Sequence, residues 1–157
     1  MRAIPDLMAS LSALTDGSVR QIRKTAEDPP RISVIDVVSL VTGHTHHQAA
    51  QTLQRLLDDY PEVSSKIAHF RFSGRGQRDT PVTDAYGITE VVMLLRGKTA
   101  TDARKQAASV LVRYLGGDLS MISEIAENRL SQEEMSEDDP ARIFGETVES
   151  DVVKRKR

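Results

Sequence analysis

His44, His46 and His47 stand within four residues of one another, and His69 is the only other histidine in the chain. Imidazoles ligate metals and move protons near neutral pH, but a metal centre needs three or four converging ligands. His46 and His47 are neighbours at the start of a predicted helix and diverge by about 100°. Helix capping or contact with a phosphate suits them better than ligation, and an enzyme built on this cluster is the weaker reading. Hydrolysis needs a nucleophile, a base and an orienting group. Serine, histidine and aspartate are present, yet no G-x-S-x-G elbow occurs. Gly74-Arg75-Gly76 is not a phosphate loop, and Leu95–Thr99 (LRGKT) lacks the earlier glycine of one. There is no cysteine, so a thiolate nucleophile, a disulfide and a Cys-ligated zinc are all excluded. These residues point to no enzyme, no cofactor and no metal.

The basic residues are more coherent. Between Lys66 and Arg113 there are nine Lys and Arg against four Asp and Glu, whereas Ser131–Ser150 holds seven acids against Arg142 alone. The net charge of −2 averages over this asymmetry and is a poor guide to a nucleic-acid partner. Arg71, Arg75 and Arg78 crowd a glycine-containing turn, where a flexible tip can ride along phosphates. Arg96 and Lys98 precede a helix whose first amides are themselves an anion site. Arg104, Lys105 and Arg113 fall on the polar side of that helix. The competing reading is an ordinary solvated surface.

These side chains need a scaffold, and the patterning supplies one. Ile4, Leu7, Met8, Leu11 and Leu14 recur at helical spacing and predict an amphipathic helix over 1–17, able to cap the domain or pair with another copy. Val19–Lys24 and Arg31–Val34 flank the breaker Glu27–Pro30 and can form a β-hairpin, although Val19–Ala26 also reads as helix. A short helix DVVSLVT follows, with Gly43 as its cap. A second runs over His46–Tyr60 with Ala49, Leu53, Leu56 and Leu57 on one face. Lys66–Phe72 alternates and predicts a strand paired with Thr80–Thr83. Thr83 or Asp84 caps an apolar helix, in which Gly87 signals close backbone approach. Thr101 is the expected cap of the next helix, with Ala103, Ala107, Ala108, Val110, Leu111, Tyr114 and Leu115 as its apolar positions. Ser120–Leu130 continues as helix.

The order of these elements resembles the Bro-N domain of viral and phage antirepressor-type proteins, which is related to the KilA-N group. The likeness covers about residues 19–117. It rests on Asp36, Val37, Leu40 and Gly43, then on Val82, Thr83, Tyr86, Gly87, Ile88, Leu94 and Leu95, and on Ala103, Arg104, Lys105, Val112 and Leu115. The chain departs from the family at Ser33-Val34, where an aromatic pair is usual, and at Val112-Arg113-Tyr114, where a tryptophan-containing stretch is common. The resemblance implies an α+β DNA-binding domain of viral or mobile-element type that regulates transcription. Double-stranded DNA would be held mainly through phosphates by Arg71, Arg75, Arg78, Arg96, Lys98, Arg104 and Lys105. The alternative is an antirepressor-like protein-interaction or self-assembly module without direct DNA contact.

With 157 residues, 39% of them apolar, and no tryptophan, the chain is long enough for one domain with an aliphatic core. The fold class expected is therefore α+β, a mostly helical single domain with one or two small β-hairpins. The expected division is an N-terminal helix (1–17), the domain (18–130) and an acidic, flexible tail (131–157) ending in KRKR, in which Ile143, Phe144 and Val148 could form a short docking segment. No apolar run nears the roughly 18 residues that span a bilayer, and no signal peptide is evident. The expected setting is soluble and intracellular, in the cytoplasm or in the nucleus of a eukaryotic host. A protein partner or a homo-oligomer is consistent with the N-terminal helix.

Overall fold

The computed structural model of the protein describes residues 22–73 and 79–156. The expected N-terminal helix and the tip of the central hairpin lie outside these residues. The fold is a mostly helical α+β domain with a small antiparallel sheet, as the patterning predicts.

The breaker at Glu27–Pro30 turns the chain back on itself. Thr25 N–H donates to the Arg31 carbonyl at 2.8 Å and Ser33 N–H to the Arg23 carbonyl at 2.9 Å. Only Ile32–Ser33 becomes strand β1. Strands β2 (Ala68–Arg71) and β3 (Asp79–Thr83) form the central hairpin, and the sheet order is β1-β3-β2. The register pairs Ala68 with Val82, His69 with Pro81 and Arg71 with Asp79. β1 reaches only Val82 and Thr83, so at Pro81 β3 is flanked by β2 alone, and its missing N–H costs no second ladder. Ala68 and Phe70 are half-buried while His69 and Arg71 are exposed, the alternation expected of a sheet with one wet face.

Helix α1 (Val34–Thr42) starts where the Ser33 hydroxyl accepts from Asp36 N–H, and it ends on Gly43 at φ 74°. That left-handed cap is open to glycine without strain. Helix α2 (His46–Asp59) opens with a capping box between Thr45 and Gln48. Its Ala49, Leu53 and Leu56 are buried against α1. The short α3 (Pro61–Ser64) buries Val63. Helix α4 (Ala85–Leu94) is capped by Asp84, whose carboxylate accepts from Gly87 N–H at 2.9 Å. A Cβ at Gly87 would fall on Thr83 Oγ1, so the close approach expected there is to a side chain of β3. Val34, Val37, Val38, Ile88, Val91 and Leu95 make the centre of the core, each at most 2% exposed.

Helix α5 (Lys98–Leu115) begins three residues before the expected cap. Gly97, at φ 108°, occupies the cap position, and Thr101 is already helical, its hydroxyl donating to the Gly97 carbonyl at 3.0 Å. Ala100 and Ala103 are buried, but the remaining apolar positions of α5 are not. From residue 104 to residue 139 no side chain is buried, although this stretch contains most of α5 and all of α6 (Met121–Glu134). Helical spacing marks a face as apolar without saying what covers it. In this fold α1, α2, α4 and the sheet already fill the core.

The acidic composition of 131–157 predicts a flexible tail with a short docking segment at Ile143, Phe144 and Val148; among the described residues the structure replaces the flexible tail with helix, while Ile143 does dock in the core. A 3₁₀ turn at Pro140–Arg142 leads into helix α7 (Ile143–Arg155). Ala141 and Ile143 are fully buried. Lys24 Nζ donates to the Glu137 carbonyl and to Glu146, both at 2.8 Å, and the Tyr86 hydroxyl donates to Asp151. One isoleucine inserted in the core and these charged pairs outweigh a composition that looks disordered. No helix among the described residues is long and apolar enough to cross a membrane.

Candidate nucleic-acid interface

Among the described residues, helix α5 starts without a side-chain cap, as α6 and α7 also do. The first turns of α1, α2 and α4 are closed by the side chains of Ser33, Thr45 and Asp84. Gly97 has no side chain to offer, and no side chain among the described residues caps α5. Its first amides thus carry the partial positive charge of a helix terminus. Two cations flank this end and a third lies two turns along the helix. Arg96 lies in the preceding turn, Lys98 is the first helical residue, and Lys105 follows at i+7 on the same side of the helix. All three are exposed, with no salt bridge or hydrogen-bonded side chain among the described residues. Asp102 sits between Lys98 and Lys105 on that face and is also exposed, so the positive field there is reduced by one charge.

The other predicted cations have different positions. Arg71, on β2, faces Asp79 across the hairpin at 3.6 Å, with both side chains more than 60% exposed. So loose and wet an ion pair holds the guanidinium weakly. Arg75 and Arg78 lie outside the described residues. Arg104 is exposed but tied to the fold: its guanidinium donates to the Met93 carbonyl at 2.6 Å, to the Leu95 carbonyl and to the Thr101 hydroxyl. It thereby satisfies carbonyls that the end of α4 leaves free. Arg113 pairs with Asp118 at 2.7 Å and Glu124 at 2.8 Å and closes the joint between α5 and α6. Lys66 pairs with Glu90 at 2.6 Å. The expected basic segment therefore divides into cations that hold the fold and cations that face solvent.

A second polar centre escaped the sequence reading. Asp36 is 3% exposed and accepts from Arg23 N–H and Nε at 2.9 Å, from the Arg23 terminal nitrogen at 3.1 Å, and shares a hydrogen bond with His46 Nε2 at 2.9 Å. Burial pushes its carboxyl pKa up, but the Arg23 guanidinium and amide, helped by His46, more than offset this and hold it below the ordinary value. The Arg23 guanidinium also lies 5.0 Å from the centre of the Phe72 ring. Asp36 is separated from Arg23 by a turn and from His46 by a helix, so no local motif announces the triad. The one available signal was a carboxylate interrupting an apolar run.

The histidines do not converge. His46 faces Asp36, His47 lies 3.4 Å from Gln51 on its own helix, and the His44 carbonyl accepts from Ser39. Among the described residues no group of three or more His, Asp or Glu could hold a metal ion. No protein-family model, curated protein or solved structure matches the chain.

Proposed function

We propose that the protein binds duplex DNA through phosphate contacts made by the start of α5, with the β2–β3 hairpin as a second basic element. The observation that carries this reading is the uncapped N-terminus of α5 between Arg96, Lys98 and Lys105, three exposed cations without a partner among the described residues. Backbone amides and flexible cations together suit a phosphate better than a carboxylate ligand of fixed shape. Arg71 adds a fourth cation on β2, and the sequence puts Arg75 and Arg78 in the same hairpin. Arg104 acts as a positioning residue, holding the end of α4 against the turn that carries Arg96. The resemblance to Bro-N domains supports the same partner and a role in regulating viral or mobile-element transcription.

Contacts of this kind carry affinity without sequence information. The full chain is therefore expected to bind two unrelated duplexes alike. The Arg96→Ala/Lys98→Ala/Lys105→Ala variant should weaken both to the same degree, while Arg129→Ala on α6 changes neither. Fluorescence anisotropy with labelled duplexes reads both effects. Absence of binding by the parent chain, or binding unchanged in the triple variant, would remove this function.

A further inference from the structure

We infer that residues 4–14 of this chain dock in the apolar groove between α6 and α7. The inference stands apart from DNA binding and rests on different residues. The groove has a volume of about 320 Å³, and Ile125, Phe144 and Val148 are its apolar lining side chains. Phe144 packs against the core, while Ile125 and Val148 are each 57% exposed. A cavity of roughly 150 Å³ already admits benzene, so this groove has room for about two apolar side chains of that size.

The polar groups along the groove are mostly matched within the chain. Arg129 pairs with Glu133 at 3.2 Å and Arg142 with Glu146 at 3.1 Å. Both arginines therefore offer the groove their aliphatic stems. The Gln132 amide donates to the Ala141 carbonyl and accepts from Gly145 N–H. Such walls suit an apolar occupant with few charges of its own.

Position and composition identify that occupant. Glu146, in the groove wall, also accepts from Lys24 Nζ at 2.8 Å. Lys24 is two residues, at most about 7 Å of chain, from Ile22, where the described residues begin. Residues 1–21 thus join the domain beside the groove. Leu14 is eight residues before Ile22, and that length of chain extends up to about 26–29 Å, enough to reach it. Ile4, Leu7, Met8, Leu11 and Leu14 make an aliphatic stripe, and Asp6 is the only charged residue from Ala3 to Leu14. The helix their spacing predicts is about 16 Å long, against about 12 Å of α6 from Ile125 to Glu133. A segment on so short a tether meets the groove at an effective concentration in the millimolar range, which favours it over a separate molecule.

The chain has no cysteine, so Glu149→Cys, at an exposed position lining the groove, can carry a single nitroxide label. Paramagnetic broadening of the backbone amide signals of the full-length protein then reads which residues approach the label. The amides of residues 4–14 should be broadened as strongly as those of the α6 residues that line the groove. Adding Leu7→Ser/Leu11→Ser should restore the signals of 4–14 and leave those of α6 broadened. Signals of 4–14 that are unaffected by the label, or that stay broadened in the serine variant, overturn the inference. So does broadening of 4–14 that arises only when the nitroxide-labelled chain is mixed with an isotope-labelled chain lacking the cysteine, which would make a second copy the occupant.

Discussion

The Asp36 centre and the start of α5 use the same kinds of side chain to opposite ends. Around Asp36 a carboxylate is 3% exposed, and Arg23 and His46 of the same chain hydrogen-bond to it. At the start of α5, cations face solvent and the helix amides have no side-chain cap. A buried charge without partners is costly, so the partners must be provided within the fold. An exposed one is nearly neutral for stability and is free for a ligand. The number of charges in a segment therefore says little about its partner until those engaged inside the molecule are taken away.

Removing Asp36 should have the largest effect on folding. Asp36→Ala leaves Arg23 and His46 without their acceptor and unties α1 from the turn before β1, an expected loss of about 1–3 kcal/mol in a denaturant titration, since both partners are more than 40% exposed and regain water. A loss below 1 kcal/mol would make the centre incidental. Arg104 sharpens the contrast, because it belongs by sequence to the basic segment and by geometry to the fold. Arg104→Ala should cost about 1 kcal/mol through the carbonyls of Met93 and Leu95, where a free surface cation would cost nothing measurable. The Arg96→Ala/Lys98→Ala/Lys105→Ala variant should keep its stability within about 0.5 kcal/mol. A larger loss would place these residues with Arg23.

The smallest effect is a titration. Hydrogen bonds from the Ser120 hydroxyl, from Arg113 and from the Ser120 amide lower the Asp118 carboxyl to about 2, and Asp36 is also lowered. Since the folded values lie below the ordinary 3.8, each group's contribution is complete above that pH. It is lost as pH falls through the folded value. Stability should thus be indifferent to these groups at neutral pH and decline only in strong acid. Carboxyl chemical shifts followed down the acid limb should show Asp118 ionised until about pH 2, and an ordinary midpoint would break the Arg113 joint as described.

Much of the fold was legible in local pattern. Ser33 through Gly43, Thr45 through Asp59 and Asp84 through Leu94 each combine a cap with apolar residues at helical spacing, and each is a helix. The alternation in Lys66–Phe72 likewise gave β2. Long-range facts were not legible. Nothing local pairs Arg23 with Asp36 or directs Arg104 back to α4. The α5 stripe could be read only as the apolar positions of a helix, because amphipathic spacing is the same whether or not a face is covered. Of the candidate interface, Arg96, Lys98 and Lys105 remain as cations open to a ligand, while Arg104 and Arg113 belong to the scaffold.

The most direct test of the DNA reading is the salt dependence of binding, measured for the parent chain and for the Arg96→Ala/Lys98→Ala/Lys105→Ala variant. Three phosphate contacts correspond to a slope difference of about 2.7 in log affinity against log salt. The parent's affinity should fall between low and physiological salt by roughly forty-fold more than the variant's. Equal slopes in the two proteins, or an affinity indifferent to salt, would contradict the account.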